Sequence, residues 1–197
     1  MPMLPAVLLI LSAIAYRVIT GFAIISGTTW LSNFAPLAAI AFCSAAYLPM
    51  RYKFTVPFVA LLASDVVLNL HYHASLLDPI VLCRYAAFLL VGCLGLLFQN
   101  RASLKTLLPA SVAGSLIFYG ITNAFSWLTD PGYVKNFAGL IQSLTVGLPA
   151  YSVTPTWIFF RNSLLSDLFF TALFVVCMSF GRNARHATAR QPLPHIA

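Results

Sequence analysis

Charge is scarce in this chain: charged residues make up 8% of 197 positions, and only four side chains are acidic. Apolar residues, by contrast, make up 60%. No water-soluble domain of this size hides that much apolar surface in its interior, so lipid must cover the remainder. There is no G-x-x-x-x-G-K-[ST] loop to cradle phosphates, which excludes nucleotide hydrolysis by that route. Neither H-E-x-x-H nor G-x-S-x-G occurs, which argues against the common zinc-protease and serine-hydrolase designs. The four cysteines, Cys43, Cys83, Cys93 and Cys177, lie within or beside apolar runs, with no zinc or disulfide spacing.

What is present is a succession of apolar runs. A helix needs about 20 apolar residues to cross the hydrocarbon core. On that length the chain divides into spans at 4–25, 34–48, 55–70, 79–98, 107–127 and 157–180. The second and third are short, as expected of tilted or protein-surrounded helices. Apolar stretches recur down to Phe180, so the first is expected to be a retained helix rather than a cleaved leader. The reading is an all-α membrane protein with one six-helix domain over 1–180 and a basic tail over 181–197. Between the last two spans, Thr129-Asp130-Pro131-Gly132 forms a turn, followed by a thinner apolar stretch over 137–148. That stretch reads as a lid-like re-entrant or interfacial helix; a full crossing is disfavoured by Lys135, Gln142, Gly147 and Pro149.

The net charge of +7 would suggest nucleic acid in a soluble protein. Here the basic residues sit in the gaps. Arg51 and Lys53, Arg101 and Lys105, and Arg182, Arg185 and Arg190 occupy segments that six spans put on one side. The opposite segments, 27–33, 71–78 and 128–156, contain only Lys135. Since Lys and Arg are retained inside, both termini are expected in the cytoplasm.

Arg17, Arg84, Arg161, Asp65 and Asp167 remain in or beside spans. Each is costly in lipid and should face protein or water. One reading is static ion pairing, Asp65 with Arg84 and Asp167 with Arg17. The other is a polar cavity open to the outside, whose surplus positive charge suits an anionic or phosphate-bearing ligand. Trp30, Trp127 and Trp157 read as interfacial anchors. His71 and His73 form a two-residue pair without a third metal ligand nearby. Cys83 is either a small buried hydrophobe or, beside the guanidinium of Arg84, a thiolate able to ligate a soft metal.

Three blocks carry a resemblance: Asn33-Phe34-Ala35-Pro36-Leu37-Ala38-Ala39-Ile40-Ala41, Leu61-Leu62-Ala63-Ser64-Asp65, and the run from Phe159 through Arg161 to Asp167-Leu168. They resemble the substrate-binding S-components of energy-coupling-factor vitamin transporters of bacterial cytoplasmic membranes. Within that group, Leu82-Cys83-Arg84-Tyr85 resembles the BtuM cobalamin transporters. The resemblance implies uptake of a vitamin-type ligand, most specifically cobalamin, with Cys83 as cobalt ligand and as agent of any decyanation. It implies that Asp65, Arg84, Tyr85 and Arg161 line the cavity, and that an energy-coupling ATPase module is a partner. S-components dock through Ala-x-x-x-Ala patterns in the first helix; here that spacing occurs only in span two, at Ala35/Ala39 and Ala41/Ala45. The alternatives are transport of another small molecule and a membrane-embedded enzyme acting on a lipid or cofactor.

Overall fold

The computed structural model describes residues 3–25, 34–72 and 75–189. Within them the chain is all helical: α1 (Met3–Ile25), α2 (Leu37–Tyr47), α3 (Thr55–Tyr72), α4 (Pro79–Leu96), α5 (Leu104–Thr129), α6 (Phe137–Leu144) and α7 (Thr156–Ala189), with a single 3₁₀ turn at Met50–Tyr52. Four of these segments are long and apolar enough to cross a membrane, Met50–His71, Pro79–Leu96, Leu104–Thr129 and Thr156–Gly181, as expected of a multi-pass membrane protein. Leu8, Leu11, Ile19, Leu90, Leu116 and Phe169 are exposed on the outside of the helices, where a lipid solvent rewards rather than penalises them.

Local chemistry sets the helix starts. Asp78 caps α4 by accepting the Ile80 amide at 3.0 Å, with Pro79 as first helical residue. Ser103 and Thr106 form a capping box at the start of α5. Asn136 caps α6 by accepting the Gly139 amide at 2.9 Å.

The short second span is the centre of the molecule. α2 has 11 residues, about 16 Å of helix, roughly half a hydrocarbon core. Every residue from Ala38 to Leu48 is buried, and α2 touches α1, α3, α4, α5 and α7. Alanine makes this enclosure close. A Cβ at Gly95 of α4 would lie 2.4 Å from the Phe42 carbonyl oxygen and 2.9 Å from Ala45 Cβ, so α4 meets α2 backbone to backbone. Ala39, Ala41 and Ala45 are therefore consumed in internal packing. The small-residue spacing of span two is not an outer docking stripe.

The segment over 137–148 does not cross. α6 spans 8 residues, about 12 Å, and packs against α5 and α7. α7 continues helical to Ala189, beyond the expected end of the last span at Phe180. Lys53, one of the basic topology residues, is buried and donates to Gln99 beyond α4.

Candidate functional site

Alternation of helix direction brings the N-terminal ends of α2, α4 and α7 together with the C-terminal halves of α1 and α5. Between them lies a cavity of about 360 Å³. Its cations are Arg17 of α1 and Arg84 of α4. One polar stripe of α5, Tyr119, Thr122, Asn123 and Ser126, faces it at i, i+3, i+4 and i+7. Thr156 and Ser163 of α7 add hydroxyls, and Phe118, Phe159 and Phe160 supply apolar surface.

The two arginines share one counter-ion. Asp65 is 1% exposed, and its Oδ1 accepts from Arg17 Nη2 at 2.5 Å, with Arg84 Nη1 at 3.5 Å. Arg17 also donates to Ser64. Asp65 is thus the rear support of the cationic wall. Its Oδ2 and the Tyr85 hydroxyl, which lies close enough to interact with this carboxylate, are buried.

Asp167 does not pair with Arg17. Its Oδ1 accepts the Ala39 amide at 2.9 Å and its Oδ2 accepts from the Ser115 hydroxyl at 2.8 Å. The reason lies at the start of α2, where Pro36 occupies the N-cap and has no side-chain acceptor. A helix N-terminus buried in the bundle leaves amides without partners, and the α7 carboxylate supplies the missing cap.

The expected site residues therefore separate. Arg84 lines the cavity, Asp65 stands behind it, and Tyr85 lies on the neighbouring face of α4, its ring against Phe58 at 5.2 Å. Cys83 is half-buried beside Arg84 but outside the cavity lining. Arg161 is exposed, bonds Asn162 and sits 5.8 Å from the Trp157 ring, away from the cavity. Trp30, His73, and the side chains of Tyr72, Arg182 and Arg185 fall outside the described residues, as does Arg190. Arg17, which the sequence offers as an intramembrane charge and as a partner for Asp167, is a cavity residue, and so are the α5 hydroxyls, which the sequence alone does not single out.

The segment between α5 and α7 packs on these two helices beside the cavity and adds no side chain to its lining. The Tyr119 hydroxyl donates to the Leu144 carbonyl at 2.6 Å, and the Trp157 amide to the Thr145 carbonyl at 2.9 Å. Trp127 Nε1 donates to the Val134 carbonyl at 3.0 Å. Gly147, at φ 74°, turns the chain back toward α7, and a Cβ there would lie 2.3 Å from the Thr156 hydroxyl. Tyr119 of the cavity is thereby tied to this cap, and Thr156 lies against it. Among the described residues no group of three or more His, Cys, Asp or Glu side chains could hold a metal ion.

A family model described as a family of unknown function (DUF6580) matches residues 2–189, and the chain belongs to that family. No curated protein matches the chain, and no solved structure matches it.

Proposed function

We propose that this family member is a membrane uptake protein that binds a small, anionic, ring-bearing molecule of vitamin type in the Arg17–Arg84 cavity. The observation that carries the reading is the pairing of two guanidiniums with a single carboxylate at a cavity wall. Two cations on one anion leave a positive charge for a carboxylate or phosphate ligand, and the guanidinium fork suits both. The aromatic residues opposite provide the apolar wall that small-molecule sites use for the rest of the ligand.

In this reading six helices span the bacterial cytoplasmic membrane, with α2 enclosed by the others and both termini inside. The cavity then opens outward, beside the cap formed by 130–155. The basic segments at the other end support that orientation. Cobalamin as the ligand, the narrower form of the proposal, rests on the resemblance around Cys83 alone, because Cys83 neighbours Arg84 in sequence but lies outside the lining of this cavity. An energy-coupling module as partner rests on the same resemblance.

Binding by the purified protein tests both forms. Benzoate, a monoanion with a ring, is expected to bind, and Arg84→Ala to weaken it about 10- to 100-fold, the range for a charged hydrogen bond. Cobalamin is expected to co-purify as red colour that Cys83→Ser removes. A colourless protein that binds benzoate discards cobalamin alone; one that binds neither discards the uptake reading.

A further inference from the structure

The cavity does not end at its lining. Ser163 of α7 faces it, and Asp167 follows one turn deeper on the same face. Phe118 and Tyr119 of α5 face it, and Ser115 lies one turn deeper. Ala35 and Leu37 face it at the start of α2, and Ala39 is the next residue bonded to Asp167. On three helices, then, the Asp167 cluster is the floor of the cavity, about 5 Å beneath the lining. Polar groups continue past it: Ser111 and Thr171 are buried, and Ser44 Oγ is buried without a hydrogen-bond partner among the described residues. Below them the path closes on Leu107, Phe174 and Met178.

This region's charges fall into two arginines, Arg17 and Arg84, and two aspartates, Asp65 and Asp167. With both acids ionised the set is neutral; with a proton on Asp167 it carries one positive charge. Asp167 has no cation beside it among the described residues, and is 0% exposed. Apart from Arg17 of α1 and Lys105 near the far end of α5, the titratable groups on the packed helices are uncharged ones. Cys43 of α2 lies beside it; further off are Tyr16 of α1 against Phe170, Tyr47 of α2 against Phe174 and Tyr119 of α5 against Phe160. No titratable side chain of α6 packs there.

We infer that Asp167 is a proton-binding site coupled to the cavity: an anionic ligand and a proton from bulk water enter together, and the pair is electrically neutral. No bond other than the carboxyl O–H forms. The ligand's charge favours the protonated floor, and the protonated floor favours the ligand, by the reciprocity that any two coupled sites obey. Uptake of an anion is thereby linked to a proton gradient, an energy source within this chain. The inference rests on the anionic-ligand reading above.

The test uses the full-length protein in lipid nanodiscs with benzoate as probe. Affinity is expected to fall about tenfold per pH unit across the interval in which Asp167 releases its proton, and to be flat with pH in Asp167→Asn. Infrared difference spectra of protein labelled with carbon-13 in its aspartate carboxyls should gain a label-shifted carboxylic-acid band when benzoate binds. That band should vanish in Asp167→Asn and persist in Asp78→Asn and Asp130→Asn. If Asp167→Asn does not fold, Asp167→Glu with its glutamate unlabelled should keep the acid band but lose the label shift. A pH-independent affinity with benzoate bound, or no acid band on binding, overturns the coupling while leaving the anion site intact. No benzoate binding at any pH overturns the anion site and the coupling with it.

Discussion

Asp167 on α7 caps α2 by accepting the Ala39 amide at 2.9 Å, across 128 residues of sequence. That bond fixes the height at which the half-length helix begins, and hence the position of the cavity floor. Asp167→Ala leaves the Ala39 amide and the Ser115 hydroxyl buried without this acceptor, and a deserted buried donor costs about 1–3 kcal/mol. A loss of about 3 kcal/mol is expected, read as a lowered midpoint of unfolding in detergent. Asp167→Asn keeps an acceptor oxygen and should lose about 1 kcal/mol. Equal losses in the two variants would deny the capping role.

Asp65 holds two arginines, so its removal should unbalance both. Asp65→Asn is expected to destabilise the protein by about 3–5 kcal/mol, the cost of leaving a buried charge without its partner. Millimolar benzoate should restore more stability to this variant than to the wild type, because the ligand replaces the missing anion. Melting curves with and without benzoate check this, and a smaller benzoate effect in the variant would count against the cavity as an anion site.

The helices were legible in the sequence because apolar run length is a one-dimensional property, and starts such as Thr55 and Pro79 fall where the runs put them. The juxtaposition of Asp65 with Arg84 was legible for a similar reason: both sit near the same end of adjacent helices. What was hidden depends on angle around the helix axis. Arg161 lies at the right depth, but successive helical residues point about 100° apart, and Ser163 faces the cavity while Arg161 is exposed. The partner of Asp167 was hidden because a backbone amide has no signature in sequence. The hydroxyls of α5 were hidden because Ser and Thr are ordinary packing residues in membrane helices.

Backbone contact between α2 and α4 gives a glycine its own test. Gly95→Ala would press a methyl group against the Phe42 carbonyl and Ala45, and overpacking of this kind costs about 1–3 kcal/mol. Gly120 of α5 has nothing within 4 Å of an added Cβ. Gly120→Ala should therefore stabilise by about 0.5–1 kcal/mol through helix propensity alone. Opposite signs in thermal unfolding are the expected result; destabilisation by both would remove the close approach as the cause.

The Tyr119 hydroxyl joins the cavity wall to the cap through the Leu144 carbonyl. Tyr119→Phe deletes one hydrogen bond, worth about 0.5–1.5 kcal/mol, and leaves the ring against Phe160. Amide exchange in 137–144 should accelerate about 2- to 10-fold with global stability nearly unchanged. Unchanged exchange there would mean that the cap is held by its other ties alone.

The cap also carries a pH dependence of defined sign. Burial first, then the charges of Asp130 and Tyr151, push the Tyr133 hydroxyl above its usual value near 10. A raised folded-state value means that the folded cap holds the proton more tightly than the unfolded chain does. The contribution is fully present below the unfolded value, and is lost as pH rises through the folded one. Cap protection should therefore stay level up to about pH 10 and fall above it, in step with tyrosinate absorbance. In Tyr133→Phe the step attributed to this hydroxyl should disappear. Loss of protection well below that pH, or a step that persists in Tyr133→Phe, would assign the transition to another group.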